Sequence, residues 1–327
     1  MDIIRHKKYF LIIALVIVVS ALAIVFTLGL KPSIDFTGGS LTEVRYSEMP
    51  EKAQIEAAVT ALDFGELSVR QSTSDTGSGY LISTRTLTEA ERTALSEALL
   101  AQGEGGEISR FTSIGPVIGS ELKDKAVWAI GAVLFLIVCY VAFAFAGIGW
   151  PVSSWVYGFI TIIVLMHDIL VPMAAMSLLG YFLGAEADIL FVTVLLTILG
   201  YSVNDTIVIF DRVRDKLKQH RTGQERTLNI PGGAKQTETV YTLAKPFGEI
   251  VGQAVDETMS RSINTSLTVL LALLALYFFG STVTETFILV LMVGVVAGAY
   301  SSIFIANPLL VLYEEWHTKK IIDQNKK

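Results

Sequence analysis

The sequence predicts a polytopic α-helical membrane protein with six transmembrane helices and an α+β ferredoxin-like extracytoplasmic domain between helices 1 and 2. Of its 327 residues, 52% are hydrophobic and only 17% are charged, a composition typical of membrane proteins. Six apolar runs are long enough to cross a hydrocarbon core about 30 Å thick. The polar residues 31–125 separate the first two runs and carry the pattern of a small αβ domain.

The first apolar run, residues 9–30, follows a basic N-terminal stretch, residues 1–8. A cleaved signal peptide is the competing interpretation, because Ala21-Leu22-Ala23 resembles a cleavage site. The run continues through Phe26, beyond the usual length of a signal-peptide core. We therefore predict an uncleaved first helix whose N-terminus lies in the cytoplasm.

Residues 31–125 are predicted to form the ferredoxin-like domain. A turn that contains Asp35, Gly38 and Gly39 leads into it, and Thr88 with Glu91 forms a capping-box pattern for its second helix. The predicted element order β-α-β-β-α-β is that of the split ferredoxin-like unit. The domain contains no cluster of His, Cys or paired carboxylates suited to catalysis, so we interpret it as a binding or mechanical domain, with a simple spacer as the alternative.

The remainder of the chain divides by hydropathy and charge. Residues 126–210 are predicted to hold helices 2–4 and residues 261–313 helices 5 and 6. Residues 211–260 form a predicted cytoplasmic loop and residues 314–327 a cytoplasmic tail. The N-terminus, this loop and the tail carry the excess of Lys and Arg, which predicts that all three lie in the cytoplasm. Within the loop, residues 221–236 are predicted to be flexible and residues 248–258 to form a short interfacial helix.

An acidic residue in the fourth span is the main functional signal. Asn204 and Asp205 lie before the end of the apolar run, where a carboxyl group costs about 2.5–3.5 kcal/mol to insert. In the fifth span Arg261, Asn264 and Thr265 fall on one helical face at comparable depth if the two spans are antiparallel. A nearby Arg favours the charged form of a carboxyl group and burial favours the neutral form, so small movements could switch Asp205 between them, as a proton-carrying site requires. The alternatives are a structural, hydrogen-bonded Asp205 and an Arg261 that is an ordinary flanking charge.

Two other polar features lie within predicted spans. Thr197 and Gly200 belong to a small, polar stripe on helix 4, which predicts close packing against another helix on that face. His167 and Asp168 lie inside the third span. They are compatible with a proton path and equally with a hydrogen-bonded pair that packs helices.

Several function classes are not favoured. The net charge of −6 indicates no nucleic-acid surface, and the scattered His residues and single Cys139 predict no metal site and no internal disulfide. No phosphate-binding glycine loop precedes a Lys-Ser/Thr pair, so ATP hydrolysis is not expected. An intramembrane aspartyl protease would use Asp168 and Asp205, but the typical Gly-x-Gly before the catalytic Asp is absent. We expect neither an enzyme nor a bound cofactor.

Four segments together resemble the SecF family, the smaller membrane subunit of the SecD–SecF export complex. The DFTGG element is shared with SecD, whereas GYSVNDTIVIFDR and SRSINTSLTVLLALLALYFFG are highly specific. The chain carries one six-span unit and so resembles a separate SecF rather than a fused SecD–SecF protein. It departs from the family at residues 219–247, which resemble an insertion. The matching segments are residues 34–39, 114–119, 200–212 and 259–276.

This resemblance implies a function and partners. It implies a partner SecD, association with the SecYEG channel, a translocating polypeptide as substrate, and a place in the prokaryotic cytoplasmic membrane with both termini cytoplasmic. It also implies that Asp205 and Arg261 are the transport residues through which the proton gradient completes export after the ATP-driven stage. Two alternatives remain at this point: a proton-driven small-molecule efflux subunit of the same resistance-nodulation-division superfamily, and a scaffold without transport.

Overall fold

A computed structural model describes residues 3–65, 67–74, 77–146, 150–229, 235–280 and 282–325. Its helices are α1 (Lys7–Leu28), α2 (Ile34–Thr37), α3 (Lys52–Thr60), α4 (Glu89–Leu100), α5 (Pro116–Ala144), α6 (Ser154–Leu183), α7 (Ile189–His220), α8 (Phe247–Phe279), α9 (Thr282–Ser301) and α10 (Asn307–Asn325). A π-helical segment, Ser302–Ala306, joins α9 to α10. The strands are β1 (Gly39–Tyr46), β2 (Ser68–Ser74), β3 (Gly77–Thr84), β4 (Glu107–Ile114), β5 (Arg221–Asn229) and β6 (Lys235–Leu243).

Among the described residues, six helical rods are long and apolar enough to cross a membrane, which confirms the predicted polytopic fold class. They are α1, α5, α6, α7, α8 and the continuous rod that α9 and α10 form through the π-helical segment. Lys7 at the start of α1 pairs with Glu315 in α10, so the two ends of the chain lie on one side of the bundle. We call this side the terminal face and the opposite side, which carries the small αβ domain, the domain face. This alternation of six spans makes the chain a multi-pass membrane protein.

Two membrane helices are longer at the terminal face than the sequence predicts. Helix α7 continues beyond residue 210 to His220, and α8 begins at Phe247, so the predicted separate helix at 248–258 is the first part of α8. The prediction was wrong because the charged residues of these two segments lower their mean hydropathy, although their apolar residues form a buried face. Its members are Val213, Leu217, Ile250, Val251 and Val255.

The connection between α7 and α8 is therefore shorter than the predicted loop 211–260. It contains an antiparallel hairpin of β5 and β6, in which Arg221 pairs with Leu243 and Asn229 with Lys235. The paired strand at 221–229 contradicts the flexibility predicted there, because the backbone hydrogen bonds of a hairpin fix its conformation. The predicted flexible stretch also includes residues 230–234, which lie outside the described residues.

The αβ domain has a four-stranded antiparallel sheet in the order β2-β3-β1-β4. This order, with the chain order β1-α3-β2-β3-α4-β4, agrees with the predicted ferredoxin-like unit. Helices α3 and α4 bury apolar side chains against one face of the sheet, including Val44, Ile55, Val59, Ile82, Leu95 and Leu99. The domain ends earlier than the predicted boundary at residue 125, since β4 ends at Ile114 and α5 starts at Pro116.

Helix α4 begins with the predicted capping box. Thr88 Oγ1 accepts a hydrogen bond from the Glu91 amide, and the Thr88 amide donates to Glu91 Oε2 at 2.8 Å. Hydrogen bonds from Arg85 and then from Thr88 lower the pKa of Glu91 from 4.5 to about 2. Because the folded-state pKa is lowered, the contribution of Glu91 to stability is present above the ordinary range of a Glu and is lost as the pH falls through about 2.

Thr88→Ala is expected to destabilise the start of α4 by about 1 kcal/mol, because the Glu91 amide loses its acceptor. Amide hydrogen exchange of the full chain should show faster exchange at the first turn of α4. Thr93→Ala is the control, since the Thr93 hydroxyl only donates to the Glu89 carbonyl of the same helix, at 2.9 Å. Equal protection in the two variants would contradict the capping role.

Candidate functional site

Asp205 lies in the middle of α7 and is buried against the neighbouring helices. Its side chain is 5% exposed, and Oδ2 has no hydrogen-bonding partner among the described residues. A buried carboxyl group without a partner is costly, and in a membrane helix such groups mark ion or substrate pathways. The adjacent Asn204 is exposed on the surface of the bundle.

Arg261 on α8 lies near enough to act on Asp205 through its charge. The Arg261 side chain is exposed, so it presents a cation beside a carboxyl group that is itself buried. A hydrogen bond of 3.1 Å from Tyr201 Oη to Ser266 Oγ joins α7 to α8 on the same side. The charge of Arg261 thus acts on Asp205 from the neighbouring helix, as in the pair that the sequence predicts.

Ion pairs hold α7 and α8 together at the terminal face. Glu257 of α8 accepts a hydrogen bond of 2.6 Å from Arg212 Nε and pairs with Lys216 Nζ at 2.5 Å. Both cations lie on α7, so one carboxylate bridges two turns of the neighbouring helix. These ion pairs therefore connect the two helices about two turns from Asp205.

The supporting polar residues of α8 lie on the outside of this chain. Asn264 is exposed and Thr265 is half-buried. The Thr265 hydroxyl donates to the Arg261 carbonyl oxygen at 2.8 Å, so it is satisfied within its own helix. Among the residues that the structure describes, neither of them adds a hydrogen bond to Asp205.

The polar stripe of α7 is also open. Thr197 and Gly200 are exposed, and a Cβ atom on Gly200 would meet nothing within 4 Å. The predicted close packing against another helix on this face therefore does not occur within the described part of this chain. The small residues of the stripe leave a shallow polar surface along α7, beside Asn204.

His167 and Asp168 form a buried hydrogen-bonded cluster on the side of α7 that is opposite to the polar stripe. Asp168 Oδ1 lies 2.8 Å from His167 Nδ1. Its other oxygen, Oδ2, accepts hydrogen bonds from the hydroxyl groups of Ser202 on α7 and Ser301 on α9, the latter at 2.8 Å. The pair thus joins three helices, as the packing alternative predicts, and among the described residues it makes no hydrogen bond with Asp205.

Asp168→Ala is expected to lower the free energy of unfolding by about 2 kcal/mol, because it leaves the two serine hydroxyls and His167 without their shared acceptor. The measurement is thermal unfolding of the purified chain in detergent. Ser177→Ala is the control on the same helix, since the buried Ser177 hydroxyl only donates to the Met173 carbonyl at 3.0 Å. Unchanged stability with loss of export would contradict the packing role and favour the proton-path alternative.

Sequence reasoning missed the partners of Asp168 on α9 and the π-helical segment that follows. Ser302 Oγ lies 3.1 Å from Thr206 Oγ1, and Asn307 Nδ2 donates to the Ser302 carbonyl at 2.8 Å. The available signal was the pair Ser301-Ser302 inside an apolar run. Adjacent serines in a membrane helix point in different directions, and here each meets a different helix.

The turn that leads into the domain, residues 34–39, packs tightly. Gly38 has φ +74°, and a Cβ atom there would lie 2.7 Å from Pro116 Cα. Gly39 has φ +143°, and its Cβ would lie 2.5 Å from the Thr84 carbonyl oxygen. Asp35 accepts a hydrogen bond of 3.0 Å from the amide of Ile189, the first residue of α7. This last contact, between residues far apart in the sequence, is not visible in the sequence pattern.

Comparisons with known proteins agree with this architecture. Residues 95–316 match the family described as protein export membrane protein SecD/SecF, C-terminal, and residues 23–48 match the SecD/SecF GG motif. The protein translocase subunit SecF of Thermobaculum terrenum is 33% identical over 96% of this chain and 94% of its own length. That of Sebaldella termitidis is 32% identical over 94% of this chain and 90% of its own length.

A solved structure shares the fold. The crystal structure of SecDF from Thermus thermophilus, described as a translocon-associated membrane protein, superposes with a TM-score of 0.79 at 30% identity. It covers 96% of this chain, which spans 39% of the SecDF chain. The family match covers most of the chain and includes both Asp205 and Arg261. The chain therefore belongs to the SecF family of protein translocase subunits.

Proposed function

We propose that this SecF subunit uses the proton gradient, together with SecD, to drive the late translocation of an unfolded polypeptide through SecYEG. The observation that carries the proposal is the buried carboxyl group of Asp205, which lacks a hydrogen-bonding partner among the described residues and lies beside the exposed cation of Arg261. A group in this position is sensitive to small helix movements, because burial disfavours its charge and the neighbouring cation favours it.

The proposed cycle has two states of Asp205. A proton that arrives from the domain face neutralises the carboxyl group and removes its attraction to Arg261. Release of the proton toward the terminal face restores the charge, and α7 shifts relative to its neighbours as the attraction returns. One elementary charge that crosses 100 mV supplies about 2.3 kcal/mol, enough to bias a two-state movement by about 50-fold.

A partner helix is proposed to cover the polar face of α7 and α8. Thr197, Gly200 and Asn204 on α7 and Asn264 on α8 are exposed in this chain, and polar side chains of membrane helices usually face a partner or water. SecD is the proposed partner, since a relative from Thermus thermophilus carries the name SecDF and this chain matches 38% of its length. The name translocon-associated, given to the SecDF structure, supports SecYEG as the further partner.

The proposed location is the prokaryotic cytoplasmic membrane, with the terminal face in the cytoplasm. Basic residues support this orientation, because Lys and Arg are retained on the cytoplasmic side of bacterial membranes. On the terminal face these include Lys7, Arg212, Lys216 and Lys245. The ferredoxin-like domain then lies outside, where a polypeptide emerges from the channel.

The experiment is export into inverted membrane vesicles that contain this chain, its SecD partner and SecYEG. An export substrate is advanced with ATP, the ATP is removed, and completion is followed with a proton gradient, with a sodium gradient, or with neither. We expect completion to be at least about tenfold faster with the proton gradient. Equal completion without any gradient would overturn the proposal, and acceleration by sodium alone would identify a different coupling ion.

A further inference from the structure

The helix that carries Asp205 is capped from two sources at the domain face. Asp188, the residue before α7, accepts a hydrogen bond of 2.9 Å from the Phe191 amide, as an ordinary N-cap does. The amide of Ile189 is not served by this cap. It donates at 3.0 Å to Asp35 Oδ2, from the turn that leads into the ferredoxin-like domain.

Backbone hydrogen bonds support the same junction. The Ser33 amide donates to the Ala187 carbonyl at 2.8 Å, and the Ala187 amide donates to the Lys31 carbonyl at 2.7 Å. Lys31 and Ser33 come directly before the turn at 34–39. We call the contacts of Lys31, Ser33 and Asp35 with Ala187 and Ile189 the Asp35 latch.

Two connections link the Asp35 latch to the sheet of the ferredoxin-like domain. Gly39 begins the central strand β1, so the turn that holds Asp35 runs into the sheet without a linker. Glu186, in the loop before α7, accepts from Arg70 Nη2 on β2 at 3.4 Å and from Ser83 Oγ on β3 at 3.5 Å. The Glu186 side chain is only 10% exposed, so this second contact is largely shielded from water.

Helix α7 also connects the Asp35 latch to Asp205. Helix α7 is unbroken from Ile189 to His220, without an internal proline. Asp205 lies about 24 Å along the axis from Ile189. A helix of this kind moves as a rod, so an axial shift that begins at Asp205 reaches Ile189 and, through it, Asp35.

We propose that Asp35 is a positioning residue that couples movement of α7 to the ferredoxin-like domain. The inference rests on the proposed function, because it presumes that Asp205 drives a shift of α7. It adds the route: the shift reaches the sheet through the Asp35 carboxylate and the loop at 184–188, with Glu186 as a second contact. Loss of the latch leaves ion movement at Asp205 intact and disconnects it from export.

The test compares Asp35→Ala with the wild type in the full chain, assembled with SecD and SecYEG in vesicles. Two quantities are measured on the same vesicles: gradient-dependent completion of export, and proton flux reported by a pH-sensitive dye. We expect Asp35→Ala to lower completion at least about fivefold while the flux stays within about twofold of the wild type. Asp35→Asn keeps an acceptor for the Ile189 amide and is expected to retain most of the completion.

Asp188→Ala is the matched control, because it removes a cap from the same helix end, and the Asp188 side chain accepts its hydrogen bond from α7 itself. Equal losses of export in Asp188→Ala and Asp35→Ala would overturn the latch, since a frayed helix end would then explain both. Parallel losses of export and flux in Asp35→Ala, or no loss of export, would also overturn it. Asp205→Asn is measured alongside. If that variant keeps gradient-dependent export, the proposed function fails and the latch fails with it, whatever Asp35→Ala does.

Discussion

Asp205→Asn is expected to remove the gradient-dependent part of export while the amount of protein in the membrane stays normal. The amide has nearly the shape of the carboxyl group but cannot gain or lose a proton at physiological pH, so α7 loses its two charge states. Since one charge across 100 mV is worth about 2.3 kcal/mol, the acceleration by the gradient should fall from as much as about 50-fold to none. The measurement is completion of export in vesicles with and without the imposed gradient.

Asp211→Asn is the control for this substitution. Asp211 lies on the same helix, is exposed, and pairs with Arg214 at 3.6 Å. An exposed ion pair of this kind contributes little to stability, so its loss should leave the gradient effect unchanged. Full acceleration in Asp205→Asn, at wild-type protein levels, would contradict proton transport through Asp205.

Gly38→Ala is expected to destabilise the chain by about 2–6 kcal/mol, from two causes that add. The backbone at Gly38, with φ +74° and ψ 161°, lies in a region that is essentially restricted to glycine, and a side chain there costs about 1–3 kcal/mol. The new Cβ would also meet backbone atoms of Pro116 at 2.7 and 2.8 Å. Because these atoms begin α5, relief requires a shift of a membrane helix, a further cost of about 1–3 kcal/mol.

Gly29→Ala separates these two causes. Gly29 has nearly the same backbone conformation, with φ +70° and ψ 172°, but a Cβ atom there would meet nothing within 4 Å. In thermal unfolding in detergent, the midpoint temperature of Gly38→Ala should therefore lie well below that of Gly29→Ala. Equal midpoints would show that the contact with Pro116 is relieved without cost.

Hydropathy and periodicity predict most of this fold because each membrane span is specified locally. A run of apolar residues indicates the length of its own span, and the pair Thr88 and Glu91 marks the start of its own helix. The extension of α7 to His220 is different. Arg212 and Lys216 are typical of a loop in the sequence, yet both pair with Glu257 of another helix, next to the buried Val213 and Leu217. These contacts come from residues far away in the sequence, so no local pattern predicts that the charged stretch stays helical.

The residues of the candidate site differ in the same way, because some can be recognised from the sequence and others cannot. A buried acid in an apolar run, such as Asp205, can be recognised from the sequence, because a carboxyl group at that depth is costly to insert. The role of Asp168 depends on which hydroxyl groups surround it, and these come from α7 and α9. The contact of Asp35 with Ile189 joins residues from two separate connections, so no local pattern could predict it.

The π-helical segment Ser302–Ala306 sets the rotational phase of the last helix. A π turn holds about one residue more than an α turn, so everything after Ala306 is turned by about 100° from the continuation of α9. If the same residues wound as regular α-helix instead, Leu310 and Val311, now fully buried, would turn by about 100° away from the bundle. Removal of a single residue would let the segment relax into α-helix and leave the later residues facing as they do now, because the π turn accommodates that residue. The π turn therefore determines which side chains of α10 face the bundle.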